Sequence, residues 1–218
     1  MDLSDTQTLL KRALRILGNT TLPEDHWALG GGTVLAHYYQ HRRSKDIDIF
    51  IDDAQCLARL SPRLNDLSED ALDYAEMGHY ISLTFPEGKI DFITSTQISN
   101  HKPTRKNFLG REIPLEDAVE IIAKKVFYRG NAIVPRDLFD LAVVYDSARK
   151  EDVLATLLSI AENTDRFMEA LVENDRLHTP LYSIENAEML LPKGTPYRGQ
   201  ERQICLRLRE QYIKMRRC

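Results

Sequence analysis

The stretch "LGGGTVLAHYYQHRRSKDIDIF", residues 29–50, decides how the chain is read. Three glycines lead into an apolar segment, a basic cluster follows, and the cluster runs directly into Asp46-Ile47-Asp48. "DIDIFID" has strand character, with isoleucines at 47, 49 and 51 alternating with Asp46, Asp48 and Phe50. In a strand, residues i and i+2 share a face. Asp46 and Asp48 therefore project together while the isoleucines enter the core. Two neighbouring carboxylates repel, and partial burial sharpens the repulsion. A divalent cation relieves it, and hard oxygen ligands suit Mg²⁺ or Mn²⁺. A D-x-D pair alone is a weak signal, since a solvated strand face can carry two acids; the residues around it give it weight. The glycines at 30–32 let backbone approach a ligand closely, and a helix starting behind them offers N–H groups to an anion. Thr33 adds a hydroxyl or serves as the cap, and Arg42, Arg43 and Ser44 can reach phosphate oxygens. Taken in order, these features describe a nucleoside triphosphate with its metal.

Outward from this stretch, Leu9, Leu10, Ala13, Leu14 and Leu17 fall at helical spacing. "WALGG" reads as a short strand and "TVLAHYYQ" as a helix, with Trp27 in the core. Leu57, Leu60, Leu64 and Leu67 form one stripe of an amphipathic segment. "YISLTFPEGKIDFIT" reads as two strands joined around Pro86-Glu87-Gly88. In the second of these, Asp91 alternates out of an apolar run. If that strand lies beside 46–51, Asp91 completes a metal site or acts as base for an attacking hydroxyl; otherwise it is a carboxylate on a solvated edge. Beyond residue 115 the segments read as helices, and "NHKPTRKNFLGREIP" is the best boundary. The expectation is an α+β fold: a mixed sheet with helices over 1–105, then a helical half over 106–218.

Composition narrows the partners. With 29 basic and 33 acidic residues the net charge is −4, so a nucleic-acid partner would have to meet a local basic patch. The closing "RLREQYIKMRR" is one such segment, although the solvated face of a terminal helix has the same composition. Cys56, Cys205 and Cys218 fit neither a disulfide framework nor zinc-ligand spacing. His37 and His41 stand i,i+4, but no further His or Cys nearby completes a ligand set; His41 is a candidate phosphate contact. With no signal-peptide pattern and no apolar run of the ~20 residues a membrane helix needs, a cytoplasmic protein without membrane contact is expected.

The order "GGGT … HRRSKDIDIF … KIDF" resembles the nucleotidyltransferases of the DNA polymerase β superfamily. More closely, Gly31, Gly32, Thr33 and Leu35, then His41, Arg42, Ser44, Asp46, Asp48 and Phe50, resemble the AbiEii/AbiGii toxin family of nucleotidyltransferases. A second block carries the same resemblance: Ala123, Lys125, Val126 and Arg129, followed by Arg136-Asp137-Leu138-Phe139-Asp140-Leu141. The two blocks span residues 29–141. On a helical projection, Val119, Ile122, Ala123 and Val126 form an apolar stripe, Lys124 points away from it, and Lys125 and Arg129 share a flank. That placement favours Lys125 over Lys124 as a phosphate contact. Asp137 suits a helix start and Arg136 can pair with Asp140, while the resemblance implies that Asp137 orients Lys125 or Arg129.

The resemblance implies a polymerase β-like core and transfer of a nucleoside monophosphate from an NTP to an acceptor hydroxyl, releasing pyrophosphate. Asp46, Asp48 and Asp91 would hold Mg²⁺ or Mn²⁺. Gly31, Gly32, Thr33, Arg42 and Ser44 would hold the triphosphate, with Lys125 and Arg129 against the leaving group. It further implies a toxin–antitoxin or phage-defence setting, with RNA, including tRNA, as acceptor and an antitoxin protein as partner. Two other readings use the same residues: a metal-dependent phosphohydrolase or nuclease, and a non-catalytic nucleotide-binding module.

Overall fold

A computed structural model describes residues 4–176 and 189–217. The described chain forms two compact units. The first comprises Met1–His37, Ser44–Gln97 and Pro103–Asp117; the second comprises Tyr38–Arg43, Ile98–Lys102 and Ala118–Cys218. A single cut at 105/106 therefore does not separate them.

The first unit holds a seven-stranded mixed sheet: β1 (Trp27–Gly30), β2 (Ile47–Ile51), β3 (Asp73–Met77), β4 (Tyr80–Phe85), β5 (Gly88–Thr94), β6 (Thr104–Phe108) and β7 (Arg111–Leu115). Their spatial order is β3-β4-β5-β2-β1-β7-β6. β2 runs parallel to β5 and antiparallel to β1, and β1 runs parallel to β7. One face is apolar. Ile47, Ile49, Ile51, Ile81, Leu83, Ile90 and Phe92 point into it and are buried. Helix α1 (Ser4–Gly18) packs there through Leu9, Leu10, Ala13, Ile16 and Leu17, so Ile16 takes the core position expected for Leu14. Helix α2 (Gly31–Tyr39) starts where β1 ends.

Two local expectations change. Residues 54–67 do not make one amphipathic helix: a 3₁₀ helix over Ala54–Leu60 stops at Ser61, whose ψ of 142° is extended, and a second runs over Asp66–Ser68. Pro62 disfavours helical backbone at the residue before it, so Leu57 and Leu60 are buried while Leu64 is exposed. The boundary segment pairs instead as the β6–β7 hairpin. Its two-residue turn places Leu109 at φ 51° and Gly110 at φ 85°, the doubly left-handed geometry of a tight hairpin.

The second unit is helical: α3 (Ala118–Arg129), α4 (Pro135–Tyr145), α5 (Lys150–Ser159), α6 (Ala161–Arg176) and α7 (Glu201–Arg216). α4 packs on α7, and α3 packs on α4, α5 and α6. Segment 41–43 pairs with 189–191: Leu191 N–H donates to His41 O at 3.1 Å and Arg43 N–H to Met189 O at 2.6 Å. In the closing basic helix, Leu208 and Tyr212 are buried, and Tyr212 and Arg216 both bond Asp165. Among the described residues, no helix is long and apolar enough to cross a membrane.

Candidate active site

The parallel pairing of β2 with β5 sets Asp48 opposite Asp91 in register. Both side chains leave the apolar face, and both are half-buried. Ser82 on β4 is the register partner of Asp91, and its hydroxyl donates to Asp91 Oδ1. Asp46 lies one residue before β2, and its Oδ1 accepts the Lys89 N–H at 3.2 Å. The strand neighbour expected for Asp91 is thus present. Among the described residues no three His, Cys, Asp or Glu side chains converge as a ready ligand set. Two side-by-side carboxylates offer the oxygen donors that suit a hard divalent cation.

The glycine turn meets these acids through its backbone. Gly31 has φ 67°, a left-handed conformation natural to glycine, and a Cβ there would overlap the Asp48 carboxylate. The helix begins at this residue, with Gly31 and Gly32 half-exposed at its N-terminus. Thr33 is neither an exposed hydroxyl nor the cap. It is buried, its hydroxyl donates to the Asp46 carbonyl, and the Ser44 hydroxyl lies 2.9 Å away. Thr33 thus ties the start of α2 to the residues entering β2, and Ser44, half-exposed, stands beside that tie.

The second unit gathers the basic candidates around two buried acids. Asp140 is fully buried; it accepts Arg42 Nε at 2.7 Å and Nη2 at 2.8 Å, and His41 Nε2 at 2.7 Å. Lys125 Nζ bonds Asp137 and lies 3.2 Å from Asp140 Oδ2, while Arg129 Nε reaches Asp137 Oδ2 at 3.0 Å. Burial alone would raise the Asp140 carboxyl; the Arg42 and Lys125 cations, with hydrogen bonds from Arg42 and His41, hold it well below the usual range. Asp137 thus pairs with both Lys125 and Arg129.

Three expectations are corrected here. Arg42 is 4% exposed and spends its fork on Asp140, so it is an anchor and not a triphosphate contact. His41 is buried against the Phe139 ring, with centroids 5.5 Å apart, and is equally remote from such a role. Lys124 does not point to solvent: it is 6% exposed and lies 3.6 Å from Glu120, which accepts the Ile98 and Ser99 N–H groups. Asp140 is the residue that sequence reasoning missed. It had been assigned to Arg136 four residues earlier, and only the long-range return of His41-Arg42 reveals its partners.

A nucleotidyltransferase family model described as "Nucleotidyl transferase AbiEii toxin, Type IV TA system" matches residues 13–204. The chain belongs to the AbiEii nucleotidyltransferase toxin family. The match covers both quoted sequence blocks and extends through most of the helical unit. Among solved structures, MenT4, a nucleotidyltransferase toxin from Mycobacterium tuberculosis, is 14% identical, with 94% of this chain and 82% of that one covered at a TM-score of 0.53. JHP933 from Helicobacter pylori is 16% identical, with 96% of each chain covered at 0.44. The antibiotic-resistance factor ANT(2″)-Ia is 18% identical, with 82% of this chain and 100% of that one covered at 0.43. At such identities the MenT4 likeness bears on the fold alone, and it agrees with a nucleotidyltransferase sheet followed by helices. No curated protein matches the sequence.

Proposed function

We propose that this AbiEii-family enzyme transfers a nucleoside monophosphate from an NTP to an acceptor hydroxyl on RNA, tRNA included, and is restrained by an antitoxin protein. The observation that carries the reading is the Asp48–Asp91 pair on adjacent parallel strands, with the Gly31 backbone pressed against Asp48. In the reaction, the acceptor oxygen forms a bond to the α-phosphorus. The bond from that phosphorus to the bridging oxygen breaks, pyrophosphate leaves, and the acceptor proton passes to Asp91. Ser82 donates to Asp91 Oδ1 and so fixes the orientation of that carboxylate. Gly31 and Gly32 present backbone N–H groups to the triphosphate, and Ser44 adds a hydroxyl. Asp46, Asp48 and Asp91 would hold Mg²⁺ or Mn²⁺. A bound cation supplies charge neutralisation for the phosphates. Lys125, oriented by Asp137 and accompanied by Arg129, neutralises charge on the leaving group.

The test is incubation with each α-³²P-labelled NTP, Mg²⁺ and total RNA, beside Asp48→Asn and an EDTA-treated sample. Label should enter a discrete RNA band, pyrophosphate should appear, and both should fall at least about 100-fold in the controls. Release of inorganic phosphate or cut RNA without labelling would favour the hydrolase or nuclease reading. Nucleotide binding with no turnover would leave a binding module.

A further inference from the structure

The acid-bearing face of the sheet is patterned beyond its carboxylates. Strand register places cross-strand partners on one face, so three rows can be read across it. The middle row is Asp48, Asp91, Ser82 and Ala75. The row two residues further along is Phe50, Ile93, Tyr80 and Met77. Phe50, Ile93 and Tyr80 are half-exposed, and Met77 is 58% exposed. The row on the other side carries Lys89, Thr84 and Asp73, with Lys89 and Asp73 exposed and Asp46 bonded to the Lys89 amide. Each row lies about 7 Å from the next, two residues of strand rise. An exposed lysine, a pair of carboxylates and an apolar row bearing two rings therefore succeed one another across the face.

Ordinary sheet energetics do not call for this ring row. The opposite face already supplies the core, and half-exposed Tyr80, Ile93 and Met77 add little to it. The Phe50 ring and the buried Glu116 carboxylate both lie over Gly30, where a Cβ would collide with either, so the ring is held against the backbone of β1. The Tyr80 ring is steadied by an edge contact with His79, with centroids 5.2 Å apart. Aromatic side chains on which bases stack, combined with cations that follow the backbone, are how proteins hold single-stranded nucleic acid.

We infer that this face seats the end of a single-stranded RNA acceptor, its terminal base on the Tyr80–Ile93–Phe50 row and a backbone phosphate on Lys89. The inference rests on the proposed transferase reading for its purpose, but not for its measurement. The probe is a short fluorescein-labelled single-stranded RNA with a free 3′ hydroxyl, titrated into the full chain and followed by anisotropy at several salt concentrations.

Tyr80→Ala should weaken RNA binding about tenfold or more, and Tyr80→Phe should restore it because the ring is kept. Lys89→Ala should reduce the slope of log affinity against log salt by about 0.7. Circular dichroism melts of each variant establish that the fold is intact. The assignment is overturned if wild-type protein does not bind the RNA. It is equally overturned if both alanine variants bind as wild type does, or if Tyr80→Ala raises the KM for NTP and leaves that for RNA unchanged. Tyr80-dependent RNA binding without any label transfer would sink the transferase reading and leave this surface standing. Normal transfer with an unchanged RNA KM in Tyr80→Ala would do the reverse.

Discussion

Gly31 shows how much of the candidate site rests on the absence of a side chain. Its φ of 67° is left-handed, and the space where a Cβ would stand is filled by the Asp48 carboxylate. Gly31→Ala should cost about 1–2 kcal/mol from backbone strain and push Asp48 out of line with Asp91. Label transfer should then fall about 100-fold, the cost of misplacing a reacting group by about 1 Å, while urea denaturation shows only the smaller stability loss. Equal transfer rates in mutant and wild type would mean that Asp48 does not work from this position. At this scale the sequence was informative where chemistry is local. Glycines beside a D-x-D strand announce close approach, and alternation put Asp91 on the face opposite Ile90 and Phe92. It was misleading for Arg42 and Lys124, because a cation that looks solvated in a string can be buried when its partner lies far along the chain.

Elements are joined by Asp140, which ties residues 41–42 to α4 and shares Lys125 with Asp137. Asp140→Asn removes the charge that balances buried Arg42, and breaking such a pair costs about 3–5 kcal/mol. The sign with pH is fixed by the lowered carboxyl. A depressed folded-state pKa means that Asp140 stabilises fully above its unfolded pKa of about 3.9, and this contribution fades as pH falls through the folded value. Urea unfolding should therefore show the largest gap between wild type and Asp140→Asn at neutral pH, narrowing only in strong acid. A gap independent of pH would mean that the carboxylate's charge is not what holds these segments. Strand and helix positions were legible wherever apolar periodicity was strong, as in β2, β4, β5 and α3. The edge strand β3 was not, because "DYAEM" is exposed along nearly its whole length and shows no buried alternation. The β6–β7 hairpin was hidden by a basic strand and by Leu109, a poor residue for a left-handed turn.

For the whole molecule, the compact units are not consecutive halves. The helical unit takes Tyr38–Arg43 and Ile98–Lys102 from inside the sheet-forming part of the chain. Periodicity finds elements but cannot say which unit claims a connecting segment, so the basic stretch "NHKPTRKNFLGREIP" looked like a border. The side chains explain the claim: Asp140 binds His41 and Arg42, and Glu120 receives the Ile98 and Ser99 N–H groups. A chain ending at residue 117 would keep every strand of the sheet yet leave both segments without those partners. Arg42 would lose its counter-charge and two backbone donors their acceptor, while small domains hold only about 5–15 kcal/mol in total. Residues 1–117 expressed alone should therefore melt well below the full chain, with a broadened transition by circular dichroism. Adding Asp140→Asn to the full chain should move its midpoint part of the way toward that value. A fragment as stable as the full chain would mean that the borrowed segments are passengers, and that the sheet unit needs nothing from the residues that hold them.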